Sequence, residues 1–593
     1  MKKIKENPLI YLLIKMWHYA KGKRKRVVLY VLLSTTAMLI QSLEPLLIGN
    51  FLNAIQTDGI SKDNLPYLLF LLLSLPLMDF IFWLFHGPSR VLELRNAFFV
   101  RANYKNFLLK GTMALPIEWQ TNHHSGDTID KIEKGTQALH TFSCRTFDII
   151  NTCIILLTSF GTMFYFDATA ASVALFITII TFYILTNFDK YLVPKYRLVS
   201  SMENKTSAKI FDALSNITTV IVLRIESLIL KSINKFIQKP FKVYDETNST
   251  GELKWFAASM GGRITVFAAV GIYIFLHFDD SALLVGTLYI LYGYANRIQA
   301  TFFKFASLYN DIVRYRTAVS NTEELSDDFI KEDENEIKKI KPNWSVIEIN
   351  NLSFSYHTED NADLHLDDVS LTIKNGERIA FIGESGGGKS TLLKVIRDLY
   401  HPKSLHLSVD NMYSKKGFKS FSDSISLIPQ DPEIFSTTIK ENITLGVEYT
   451  DEYISKYTDI ACFSDVIKRL PNGLDSSIVE KGVNLSGGER QRLALSRGLL
   501  ASEDKDIILF DEPTSSVDFQ NELKIYQNIF NVFPNKTLIS SIHRLHLLSL
   551  FDSIYFLKDG KIIAKGTFEE LKQNSPEFKE LWERYINTRD GLN

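Results

Sequence analysis

The sequence predicts an α-helical membrane domain of six transmembrane helices with long cytoplasmic extensions, followed by an α/β domain built around a phosphate-binding loop. Three observations carry that fold class. Long apolar runs are confined to the part of the chain before about residue 306. From Asn321 onward the sequence reads as an ordinary charged globular domain. Within that second part, Gly383, Glu384, Ser385, Gly386, Gly387, Gly388, Lys389, Ser390 and Thr391 follow the apolar run 379–382 and precede a helical pattern over 392–396. A strand, a glycine loop and a helix in that order present successive backbone N–H groups and a helix N-terminus to phosphate oxygens. Lys389 is placed to reach the β/γ-phosphates of a nucleoside triphosphate, and the Ser390 hydroxyl to ligate Mg²⁺.

The N-terminal segment 1–26 is basic at Lys2, Lys3 and Lys5, and its apolar part contains Lys15 before running into Lys21-Gly22-Lys23-Arg24-Lys25-Arg26. That pattern predicts an amphipathic interfacial helix on the cytoplasmic side rather than a cleavable signal peptide. A bilayer-spanning helix needs about 20 mostly apolar residues. Six windows qualify: 27–51, 65–85, 147–166, 168–188, 255–277 and 281–304. Asp167 alone separates the third from the fourth, so a tight turn joins them.

Orientation follows from the lysine and arginine bias of the flanks. One set of links is short and acidic: Asp58, Lys62 and Asp63, then Asp167, then Asp279-Asp280. The other set is long and basic, with Arg90, Arg95, Arg101 and Lys105 in one and Lys190, Lys195, Arg197, Lys205 and Lys209 in the other. Both termini are therefore expected in the cytosol of a multi-pass protein, with a bacterial inner or plasma membrane as the expected location. The long inner links have helical periodicity and few Gly or Pro residues, so they read as extensions of the spans. The expected division is a membrane domain over 27–320, a charged linker over 321–344 and a soluble domain over 345–593.

The net charge of −1 gives no global attraction to nucleic acid, and no nucleic-acid partner is expected. Cys144, Cys153 and Cys462 have neither disulfide-framework nor metal-site spacing.

Two further motifs carry chemistry. The run Ile507-Ile508-Leu509-Phe510 reads as a buried parallel strand ending in Asp511-Glu512. An acid at the carboxyl end of such a strand sits beside the phosphate loop. Asp511 is the candidate Mg²⁺ ligand, and Glu512 the candidate that orients and deprotonates the attacking water. Between them, Leu485-Ser486-Gly487-Gly488-Glu489-Arg490-Gln491-Arg492 is a glycine-rich turn opening a helix, a second anion-binding element.

With these motifs the chain resembles the ATP-binding cassette transporters, and the likeness covers nearly its whole length. The LSGGERQR run matches that family's signature. The resemblance implies that Tyr356 stacks on adenine and that Ser486, Gly487 and Gly488 bind phosphate. Gln430 becomes the Q-loop glutamine, with a catalytic and Mg²⁺-binding role, and Ser515 to Asp518 the D-loop. His543 becomes the switch histidine at the γ-phosphate. ATP and Mg²⁺ are the implied ligands, and the architecture is that of an exporter-type half-transporter: six spans followed by an α/β P-loop ATP-binding cassette domain. Coupling helices are matched by 115–129 and 212–217. The stretch 401–420 departs from the family pattern, with a lysine-rich segment in place of the familiar glycine-containing turn. In this family the signature and the phosphate loop of one chain face opposite ways, so two chains are implied, each ATP lying between Lys389 of one and Ser486 of the other. A homodimer is expected because both elements are intact; a heterodimer is the alternative.

The spans offer a candidate cargo path. Gln41, Glu44, Asp79, Arg263 and Arg297 are polar or ionisable groups inside spans, which are costly and commonly face a bundle interior. Tyr289, Tyr292, Asn296 and Gln299 share one face of the sixth span. That stripe suits an amphipathic small molecule, lipid or peptide, with helix–helix hydrogen bonding and no ligand as the alternative. The expected function is ATP-hydrolysis-driven export of such a cargo. Uptake, lipid flipping and an ATP-gated channel or sensor are the alternatives, and intact Glu512 and His543 favour turnover over gating.

Overall fold

A computed structural model of the chain describes residues 7–123, 125–278, 283–329, 339–341, 343–356, 364–431, 433–478 and 485–590. It divides into two compact units, Met1–Leu115 with Trp119–Ile330, and Pro116–Glu118 with Lys331–Asn593.

Among its described residues, the regular structure of the first unit is helical. Its opening helix, Pro8–Tyr19, starts where the Asn7 side chain accepts the Leu9 and Ile10 N–H groups. The first predicted span is two helices, Arg24–Gln41 and Glu44–Asp58. Pro45 sits in the first turn of the second, where its missing N–H breaks the ladder at Ser42–Leu43. Then come the long helices Leu65–Met113, Thr146–Phe166, Ala168–Ser215, Phe241–Leu276 and Val285–Asp327, with Ser125–Ser143 and Glu226–Gln238 between them. The inner links are helical as the periodicity predicts. The tight turn at Asp167 is a cap: its carboxylate accepts the Ala170 N–H at 2.8 Å.

Among the described residues, five stretches are long and apolar enough to cross a membrane by length and composition: Arg24–Asp58, Leu65–Met113, Ser125–Phe166, Ala168–Ser215 and Glu226–Leu276. The sixth window falls in Val285–Asp327, whose hydropathy is lowered by Tyr292, Asn296, Arg297 and Gln299. Residues 281 and 282 of that window, and Asp279-Asp280 of the third outer link, lie outside the described residues. This helix continues through Asp327, so residues 321–327 form its last turns rather than a linker. It packs closely against Glu44–Asp58, because a Cβ on Gly286 would lie 1.9 Å from the Gly49 carbonyl oxygen. Close approach through small residues is the usual means of packing helices in lipid. The first coupling-helix match contains a short helix, Ile117–Asn122, with His124 outside the described residues. The second divides between the end of Ala168–Ser215 and a short helix Ile217–Val222.

Among its described residues, the second unit holds two sheets. One is antiparallel, in the order β2 (Leu366–Lys374), β1 (Val346–Phe354), β4 (Ser404–Val409), β5 (Met412–Tyr413). The segment that departs from the family pattern is thus still a hairpin, β4–β5. The other sheet runs β10 (Lys561–Gly566), β9 (Ser553–Lys558), β3 (Arg378–Ile382), β8 (Thr537–Ser541), β7 (Ile507–Asp511), β6 (Ile425–Ile428). All its pairings are parallel except β9 with β10. Every residue of β7 and β8 is buried, as central parallel strands covered on both faces require. Consequently the carboxyl ends of β3, β7, β8 and β6 open along one edge, and there the motif residues gather.

Candidate functional site

The phosphate loop leaves β3 through Gly383, whose φ is +143°. A Cβ there would fall 2.0 Å from the Leu557 carbonyl oxygen, so neither the angle nor the space admits a side chain. The loop ends at Gly388, with φ +100°, as N-cap of the helix Lys389–Ile396. Lys389 is buried, and its ammonium donates to the carbonyls of Gly383 at 2.8 Å and Glu384 at 3.0 Å. Burial pushes its pKa down, while Glu512 and Asp511 pull it back up. A cation held in such a loop suits a polyphosphate chain.

Asp511 closes β7 and pairs across the ladder with Ser541 of β8. Its Oδ1 accepts the Ser390 hydroxyl at 2.7 Å and the Ser541 hydroxyl at 2.9 Å. Hence a buried carboxylate and the Ser390 hydroxyl, both hard oxygen donors, lie side by side at the phosphate loop. That donor chemistry fits Mg²⁺. Glu512 follows with φ +47°, a left-handed conformation that a non-glycine residue adopts at a cost. This turns its carboxylate out of the strand line. Its Oε1 lies 2.7 Å from His543 Nε2, and its Oε2 accepts the Gln430 amide at 3.1 Å. The Glu512 N–H is fixed by the Ser541 hydroxyl at 3.0 Å.

Lys389, Ser390, Gln430, Asp511, Glu512 and His543 therefore form one connected cluster. Tyr356 stands at its rim, two-fifths exposed, with its hydroxyl 3.4 Å from Thr391 Oγ1 and its ring edge-on to Tyr400. Ser486 caps the helix Gly487–Ala501 in a capping box: its hydroxyl accepts the Glu489 N–H, and Glu489 accepts the Ser486 N–H at 2.8 Å.

Residues 366–515 match the ABC transporter family, and residues 27–302 match the ABC transporter transmembrane region. The chain belongs to the ABC transporters. It is 28% identical over 510 residues to the mitochondrial iron-sulfur clusters transporter ATM1 of Candida glabrata, covering 83% of this chain and 69% of that one. It is 30% identical over 483 residues to ATP-binding cassette sub-family B member 6 of Rattus norvegicus, spanning 79% of this chain and 56% of that relative's length. The fold matches a solved bacterial Atm1-family ABC exporter with ATP bound, at a TM-score of 0.81 and 22% identity over 95% of this chain and 99% of that one. This ABC transporter is an ATPase coupled to transmembrane transport, and an integral membrane protein.

The cargo-path residues need correction at one place. Tyr292 and Asn296 are exposed on the helix Val285–Asp327, but Gln299 is buried. A Cβ on Gly262 of Phe241–Leu276 would meet the Gln299 side chain at 2.3 Å, so the missing side chain lets that helix cover it. The open face runs through Tyr292, Asn296 and Ala300 instead. Arg297 pairs with the Glu44 carboxylate, 2.8 Å away, and also donates to the Gln41 carbonyl at 3.1 Å. Asp79 is exposed on its own helix. Sequence reasoning also missed Ser541, which holds both acids; only the β7–β8 register reveals it.

Proposed function

We propose that this transporter exports an amphipathic cargo as one half of a dimer, driven by ATP hydrolysis at sites shared between two chains. The carrying observation is the Glu512 carboxylate, held from both sides by Gln430 and His543 next to a buried lysine and a Ser390–Asp511 pair. In this reading Lys389 neutralises the β/γ-phosphates and the loop N–H groups orient them. Glu512 takes a proton from the attacking water, and His543, beside it, meets the γ-phosphate. Ser390, Asp511 and Gln430 would hold Mg²⁺, which when bound neutralises charge developing on the phosphates. Tyr356 stacks on adenine. Ser486, Gly487 and Gly488 serve the partner's ATP through the positive end of their helix.

Residues 27–320 form the membrane part and 345–593 the ATPase, with both termini in the cytosol. The likeness to a bacterial Atm1-family ABC exporter supports export, and the Tyr292–Asn296 face supports an amphipathic cargo. Purified protein in lipid vesicles, with inverted orientation selected, should accumulate cargo in the presence of ATP. A panel of drugs, lipids, peptides and metal chelates should contain members that stimulate its ATPase several-fold. Robust ATPase activity without movement of any panel member would favour the gate or sensor reading.

A further inference from the structure

The turn Ser515-Ser516-Val517 is gripped from two sides by residues that the ATP chemistry has left unused. On one side is Gln491, buried in the helix Gly487–Ala501. Its Oε1 accepts the Ser516 N–H at 2.7 Å, while its Nε2 donates to Ser515 Oγ at 2.7 Å and to the Gln430 carbonyl at 3.2 Å. A backbone N–H only donates and a carbonyl only accepts, so these partners fix which way the amide points. The turn also lies against the glycines of that helix: a Cβ on Gly488 would come within 2.7 Å of the Ser516 carbonyl oxygen.

On the other side is Arg544, directly after His543. Its guanidinium donates to the Val517 carbonyl at 2.8 Å, to the Ser515 carbonyl at 3.2 Å and to Glu522 at 3.1 Å. Glu522 is itself buried and accepts the Thr514 hydroxyl at 2.7 Å. A planar fork can serve three acceptors at once, whereas an ammonium is a single point of charge.

We propose that Gln491 and Arg544 are positioning residues for ATP turnover, clamping the 515–517 turn between the signature helix and the His543 end of β8. The clamp makes one geometry of four pieces: the Gln430 loop, the Glu512–His543 pair, the turn and the helix whose N-terminus serves the partner's ATP. It rests on the reading of Glu512 as the hydrolytic centre, and its test separates the two.

The test uses the full chain in lipid nanodiscs, with ATP turnover measured against ATP concentration, ATP affinity by direct binding, and thermal unfolding. Gln491→Glu keeps the acceptor for Ser516 but sets a carboxylate oxygen against the Gln430 carbonyl. Arg544→Lys keeps the charge and loses the fork. Each should lower kcat by about tenfold or more, as small misplacements near reacting groups do, with ATP affinity within about threefold of wild type. The double variant Arg544→Met/Glu522→Gln removes the buried charge with its counter-charge. It should unfold near the wild-type temperature and still turn over slowly. A kcat within about twofold of wild type in both single variants overturns the proposal, as does recovery of kcat together with stability in the double variant. Should Arg544→Lys not fold, Gln491→Glu decides alone. A wild-type chain that does not hydrolyse ATP at all defeats the underlying reading as well, whereas unaffected variants of an active chain defeat only the clamp.

Discussion

Two buried aspartates, one in each unit, solve the same problem in opposite ways. Asp189, on Ala168–Ser215, is 2% exposed and meets the ammonium of Lys254 on Phe241–Leu276 at 2.6 Å, itself 2% exposed. Asp511, 5% exposed, is held by the neutral hydroxyls of Ser390 and Ser541. A buried carboxylate paired directly with a buried ammonium ties two helices together. One hydrogen-bonded by hydroxyls at a phosphate loop, with the Lys389 ammonium nearby, keeps acceptor capacity for a cation brought by ligand. The difference separates a residue that holds structure from one that does chemistry, although both are buried acids of one chain.

The sharpest break of that comparison is at the chemical centre. Glu512→Gln should keep ATP binding and lower turnover by at least about a hundredfold, the loss expected when a general base is removed. Its amide still fills the space between Gln430 and His543, so unfolding temperature should hardly move. Near-normal ATPase activity in Glu512→Gln would sink the assignment. Asp189→Asn should do the reverse. It removes the carboxylate charge from the buried Asp189–Lys254 pair, a change that costs about 3–5 kcal/mol in comparable pairs. Thermal unfolding should fall sharply, with ATP affinity of the folded fraction retained. Equal melting curves for Asp189→Asn and wild type would mean that water reaches the pair.

How legible each region was in the sequence follows from the same contrast. Phosphate loop, strand and acid pair could be read directly because a short apolar run bounded by a glycine loop or an acid pair marks a buried parallel strand, and a motif at such a strand's carboxyl end has one place to go. Glu512 and His543 were found as separate motifs, yet their 2.7 Å approach follows from β7 and β8 being neighbours in the sheet. Ser541 was invisible because a serine in a run of apolar and small residues carries no signal until the register sets it opposite Asp511. In the membrane unit, helical spacing alone placed Gln299 with Tyr292 and Asn296. What covers a face depends on the neighbouring helix, and Gly262 is far away in sequence. The break at Pro45 was likewise hidden inside a continuous apolar window.

A smaller effect probes whether the acid centre of one chain needs the other chain. Chains carrying Lys389→Ala and chains carrying Ser486→Arg should each be inactive as homodimers. In mixed dimers one site receives both defects and the other neither, so the mixture should recover part of the turnover. Verified mixed dimers that stay silent would place both elements of a working site on one chain.

The smallest effect is chemical access to the sixth helix, and it sharpens the membrane side of the comparison. Tyr292 is 45% exposed and Asn296 lies on the same open face, while Gln299 is 8% exposed against Gly262. Cysteines at 292 and 296 should therefore react with a water-soluble thiol reagent applied from the cytosolic side, in a background where Cys144, Cys153 and Cys462 are replaced. A cysteine at 299 should react much more slowly, and one at the buried position 298 not at all. ATP with vanadate should protect 292 and 296 if the face lines a path that closes when ATP is trapped. Protection confined to 299 would return Gln299 to the path and require the Phe241–Leu276 helix to move away from it. Silence at 292 and 296 in both states would make their face a contact between chains, and the amphipathic cargo path would have to be sought elsewhere in the unit.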